Sequence, residues 1–122
     1  MAKICTTIEQ SKKLTELGLS RETSDMYYWC GESIRFGGYK AQDKDYDIPC
    51  WSLAALLNVL PKELKIEGQR YTPCLFPVQN KWLLRLWYNS NYTITSPIAI
   101  FSDNPVDVCV EMIIKLKERK LI

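Results

Sequence analysis

The stretch NPVDVCVEMIIKLKERK, residues 104–120, constrains the fold more than any other part of the chain. Asn104 or Asp103 can cap a helix, and Pro105 suits its first position, where no backbone N–H is needed. Asp107 places negative charge in the first turn, and lysine and arginine fill the last. At helical spacing Asp107, Glu111, Lys115 and Glu118 form one narrow polar stripe, while every other residue from Val106 to Leu116 is apolar. A helix with so wide an apolar face needs cover, either a sheet plus a second helix or, in part, another subunit.

The sheet is supplied by KWLLRLWY, residues 81–88. Strict alternation puts Trp82, Leu84, Leu86 and Tyr88 on one face and Leu83, Arg85 and Trp87 on the other, as a strand requires. Further strands are expected over 70–76 and over part of 93–101, with PVQNK and NSN as turns. Pro73, Pro77 and Pro97 push these flanking strands toward edges or bulges, because proline cannot donate to a ladder. The pattern is an antiparallel meander of about three strands.

Earlier in the chain, TTIEQSKKLTELGLS predicts a helix that begins at Thr6 or Thr7 and stops at Gly18 in a left-handed conformation, with Leu14 and Leu19 in contact across the stop. Ser20 then caps a short turn through RETSD. Residues 26–39, MYYWCGESIRFGGY, predict two short strands or an irregular hairpin. A charged loop leads to Asp47, which suits an N-cap, with Pro49 in the first turn and Tyr46 and Trp51 placed as a hydrophobic staple. From Trp51 to Leu60 only Ser52 and Asn58 are polar, so this helix is expected to be central and buried on most of its surface. KELKIEGQ, residues 62–69, reads as a polar connection.

At 122 residues, 47% hydrophobic and 25% charged, the chain is long and apolar enough for one ordinary core. The expectation is therefore a single α+β domain over residues 1–122, in which the meander packs with the buried central helix and the long C-terminal helix. Ile8, Leu14, Leu17, Trp51, Leu53, Leu56, Leu57, Leu84, Leu86, Val106, Cys109, Val110, Ile113 and Leu116 should form the core. No apolar run reaches the roughly 20 residues that span a bilayer. The N-terminus turns polar too early for a signal peptide, so a cytoplasmic location is expected, and the Asn91-Tyr92-Thr93 sequon then carries no glycan.

Five cysteines and no histidine limit the chemistry. Without an export signal the thiols should be free, and without histidine or a CxxC pair the common zinc sites are excluded. Cys50, in the expected first turn of the central helix, has a helix dipole to lower its pKa, but no histidine to activate it and Asp47 nearby to oppose a thiolate. It reads as a packed hydrophobe. Cys30 and Arg35 leave four residues between them, one too few for the phosphate loop of cysteine phosphatases, and Gly37-Gly38 lacks the full P-loop spacing. Asp43, Asp45 and Asp47 alternate as cation ligands can, but the glycine and glutamate that complete a calcium loop are missing. No catalytic, cofactor-binding or metal-ligating residue is assigned on these grounds. Arg85 and Trp87, with Tyr71 or Phe76 on a neighbouring strand, share the elements of a stacking platform for single-stranded nucleic acid, although no RNA-recognition signature accompanies them.

The segments IEQSKKLTELGL, DMYYW, DIPCWSLAALLNVLPKE and NPVDVCVEMIIKLKERKLI together resemble a family of short, uncharacterised bacterial proteins carried by prophages and other mobile elements. The resemblance implies a small accessory protein and transfers no functional residue. The expected function is non-enzymatic: an interaction or regulatory protein that meets a protein partner, or a second copy of itself, through the C-terminal helix. Nucleic-acid binding through the basic second half is the alternative, and an enzyme using a thiol or carboxylate the third reading.

Overall fold

The computed structural model describes residues 3–29, 33–36, 48–88 and 98–122. The fold is α+β and divides into two compact units, Met1–Val59 and Leu60–Ile122. The expected charged loop, the staple residue Tyr46, Asp43, Asp45, Asp47, Cys30, Gly37-Gly38, the sequon and Pro97 all lie outside the described residues. No helix among the described residues is long and apolar enough to cross a membrane.

In the first unit, α1 spans Ile8–Glu16. Thr7 caps it with a full capping box: its hydroxyl accepts from the Gln10 N–H, and the Gln10 side chain accepts from the Thr7 N–H. The predicted stop is present, with Gly18 at φ +95°. The Leu19 N–H donates to the Leu14 carbonyl and the Gly18 N–H to the Thr15 carbonyl, which is the paired ending that requires a left-handed residue between them. Ser20 caps a single 3₁₀ turn, Arg21–Thr23, as its position suggested.

A three-stranded antiparallel sheet follows, with Met26–Trp29 (β1) between Ser33–Phe36 (β2) and Ile48–Cys50 (β3). The expected hairpin is therefore real. The third strand overturns the helix start expected at Asp47, because Ile48, Pro49 and Cys50 pair with Tyr28, Tyr27 and Met26. The second helix, α2, begins only at Leu53 and ends at Val59. Ser52 caps it, accepting from the Ala55 N–H, and Ser52 is itself held by Asp25, whose carboxylate accepts from both its N–H and its hydroxyl. A carboxylate 27 positions upstream thus sets this boundary. The helix is buried along one side, at Ala55 and Leu56, while Ala54, Leu57 and Asn58 are exposed, so it is less enclosed than its composition suggested. Ile8, Leu17 and Leu53 are likewise only partly buried.

The second unit is a four-stranded antiparallel meander with a helix on it. Its strands are Leu64–Ile66 (β4), Gln69–Val78 (β5), Lys81–Tyr88 (β6) and Ala99–Ser102 (β7), paired in sequence order. The expected polar connection at 62–69 contains a strand: Ile66 pairs with Gln69 across a two-residue turn in which Glu67 and Gly68 both have positive φ, the geometry tight hairpins favour. Pro73 and Pro77 lie beyond the short reach of β4, where β5 has β6 as its described neighbour, so their missing N–H groups interrupt no described ladder.

The third helix, α3, runs Pro105–Glu118 with Asn104 as its cap, accepting from the Val106 and Asp107 N–H groups. It ends as α1 does, here with Lys120 in the left-handed position and the Leu121 N–H donating to the Leu116 carbonyl. Val106, Val108, Cys109, Val110, Met112, Ile113 and Leu116 are buried, and the helix packs on β6 and β7. Leu84, Leu86 and Ile100 are the buried residues of the facing sheet surface.

Candidate functional site

The thiols are the first place to look for chemistry, and their surroundings oppose it. Cys5, Cys50, Cys74 and Cys109 are free, and all but Cys74 are buried. Cys50 sits at the end of β3, two residues before the α2 cap Ser52, in a buried cluster with Cys5, Met26 and Tyr28. Burial, reinforced by the neighbouring Cys5 thiol and then by Asp25, holds its pKa far above the ordinary range. Burial alone pushes Cys109 up to about 12. Both remain protonated thiols at neutral pH, whereas a nucleophile needs the thiolate. The Tyr28 hydroxyl is also shifted up, first by burial and then by Cys5, and it donates to the Thr6 carbonyl at 2.7 Å. These groups fasten the segment before α1 to β1 and β3.

Carboxylates and cations offer no alternative centre among the described residues of the first unit. Among the described residues no three of cysteine, aspartate and glutamate gather as a metal cage would need. An open depression of about 320 Å³ is lined by Lys12, Thr15, Glu16, Arg21, Ile48 and Pro49. Its one hydroxyl, that of Thr15, donates to the Ser11 carbonyl within the helix at 2.9 Å, so it is a structural group. On β1 and β2, Arg35 lies 4.9 Å over the Trp29 ring and Phe36 is 77% exposed. Both ends of β2 adjoin residues outside the description.

The sheet of the second unit has two chemically different faces. Residues directly opposite one another in a ladder share a face. The face turned to α3 carries Leu64, Ile66, Leu75, Leu84, Leu86 and Ile100 among its strand residues and no charged side chain. The outer face carries Lys65, Arg70, Lys81 and Arg85, and among its described strand residues no carboxylate. Glu63 approaches Arg70 at 3.6 Å from outside the strands, with both side chains more than half exposed, where water screens the pair. On this basic surface lie Phe76, Trp87 and Phe101, and Trp87 and Phe101 are 46% and 57% exposed.

Arg85 is the centre of this face. Its guanidinium lies 4.6 Å from the Trp87 ring and 5.3 Å from the Phe76 ring. Two such contacts stabilise a cation by about 0.5–2 kcal/mol each, according to how far they are desolvated. Its Nε is buried and finds no hydrogen-bond acceptor, which costs about 1–3 kcal/mol. The ring contacts and the unmet Nε are of similar size and opposite sign, so the arginine gains little for the fold from this slot.

The Arg85–Trp87 pair was visible in the alternation of KWLLRLWY; of the two neighbours named with it, Phe76 joins this face, whereas Tyr71, opposite Leu64, belongs to the face turned to α3. Lys65, Arg70, Lys81 and Phe101 were missed. Lys81 follows from the alternation of β6 itself, but only the register of β4, β5 and β7 against β6 assigns Lys65, Arg70 and Phe101 to the same face, and single-strand periodicity does not contain it. The apolar face of α3, expected to reach a partner, is filled within the chain, and the outward side of that helix presents Glu111, Lys115 and Glu118. Comparison with protein-family models, with curated proteins and with solved structures finds no match to this chain.

Proposed function

We propose that the protein is a non-enzymatic interaction module whose partner docks on the outer face of the four-stranded sheet. The observation that carries this reading is the Phe76–Arg85–Trp87 stack, in which a guanidinium lies over two rings and one of them, Trp87, is half-exposed on the outer face. Burial of Cys50 and Cys109 as protonated thiols supports a role without covalent chemistry. The segments that resemble the mobile-element family belong to the same proposal: a small bacterial accessory protein acting in the cytoplasm. Trp and Phe exposed beside an anchored arginine are the residue types that dominate binding energy at interfaces.

The test compares the full chain with a Trp87→Ala/Phe101→Ala double variant. Trp87 is half-exposed and its ring meets Arg85, so the variant should lose about 2 kcal/mol or less there, a drop of several degrees in thermal midpoint, and keep its folded circular-dichroism spectrum. Tagged protein incubated in lysate of the source cell should retain a stoichiometric species that the variant releases. Identical capture by the two proteins would contradict the reading.

A further inference from the structure

The partner's chemistry follows from three features of the same face, and the inference rests on the reading of that face as the interaction surface. We infer that the outer face of the β4–β7 sheet binds single-stranded nucleic acid, with bases stacked on Trp87 and Phe101 and phosphates held by Lys65, Arg70, Lys81 and Arg85.

The first feature is the charge of the strand residues, which is of one sign across the three strands β4, β5 and β6 and therefore favours a polyanion over a mixed protein surface. The second is the arrangement of the rings. Trp87 lies four residues along β6 from Leu83, the residue opposite Phe101, so the two rings stand roughly 14 Å apart on the strand and sheet spacings. A short unpaired stretch can lay bases on both, whereas a duplex keeps its base faces buried in its own stack. Base stacking on aromatic side chains tolerates any sequence, since every base has a π-face. The third feature is that the exposed rings stand on the face of the sheet and not at its edge. Extended peptides add to strand edges or settle in grooves, where backbone groups or pockets read them, and an open sheet face offers neither. Arg85, clamped between two rings, joins the aromatic row and the cationic row at one point.

The experiment is a fluorescence-anisotropy titration of labelled single-stranded oligonucleotides, DNA and RNA of mixed sequence, with the full chain, repeated with a duplex of the same sequence. The inference expects saturable binding to a single strand and at least fivefold weaker binding to the duplex. Trp87→Ala and Phe101→Ala should each weaken the single-strand complex at least fivefold, without loss of the folded circular-dichroism spectrum. A plot of log K against log salt should have a slope of about −2 to −3, as three or four neutralised phosphates on a single strand require. Equal affinity for duplex and single strand, with no effect of either aromatic substitution, would overturn the inference and leave only charge attraction. No binding to any oligonucleotide would also overturn it. In that case, a polypeptide released from the double variant would keep the interaction reading, and the absence of any released species would remove that reading as well.

Discussion

Thr6 is fully buried, and four of its polar contacts converge on one junction. Its N–H donates to the Trp51 carbonyl and its hydroxyl oxygen accepts from the Trp51 N–H, at 3.0 and 3.1 Å. The same hydroxyl meets that of Ser11 at 2.8 Å, and the Thr6 carbonyl accepts from Tyr28. Thr6→Val keeps the shape and removes the hydroxyl, leaving the buried Trp51 N–H without that acceptor. The expected cost is about 1–3 kcal/mol, read as a lower urea midpoint with an unchanged slope, while Thr6→Ser should recover most of it. A Thr6→Val protein as stable as the parent would show that water or a rearranged hydroxyl replaces the bond. Nothing in the local sequence marks Thr6, because its partners stand 45 and 22 positions away. The fate of Cys50 was more accessible: a chain without histidine leaves a thiol little to do but pack, and that inference holds although the residue sits in a strand rather than a helix.

Elements whose signals are local were legible. The ends of α1 and α3 follow from Thr7, Gly18, Asn104 and Pro105, all within a turn of the boundary they set. The hairpin around PVQNK was readable for the same reason. The start of α2 was not, since Asp47-Ile48-Pro49 has the chemistry of a helix start while pairing with β1 and the Asp25–Ser52 link move the boundary to Leu53. The three-residue strand β4 was hidden by the charges of KELKIEGQ and by Glu67, a residue that rarely takes positive φ. The exposure of α2 separates two neighbours of identical type. Leu56 is fully buried and Leu57 is 42% exposed. Leu56→Ala should destabilise by roughly 2–5 kcal/mol and Leu57→Ala by about 1 kcal/mol or less, as measured by chemical denaturation. Equal losses would mean that α2 is enclosed on both sides.

At the scale of the whole molecule, the two units divide the labour of the sequence differently. The first binds its own termini and turns together through buried hydroxyls and thiols. The second builds a sheet with an uncharged face under α3 and a basic, aromatic face outward. Composition conceals this second property, because a net charge of +2 spread over 122 residues predicts no polyanion partner. Charge matters by where the register puts it: Lys81 and Arg85 share a face by the alternation of β6, and strand pairing brings Lys65 and Arg70 to the same surface. The most direct measurement is therefore a two-dimensional amide NMR titration of the full chain with a single-stranded oligonucleotide. Binding at the outer face predicts progressive shifts at Arg70, Thr72, Arg85, Trp87 and Phe101, including the Trp87 indole N–H, with α1 and the exposed side of α3 unmoved. Shifts confined to the basic end of α3, or to β1 and β2, would contradict the assignment of this sheet face as the binding surface.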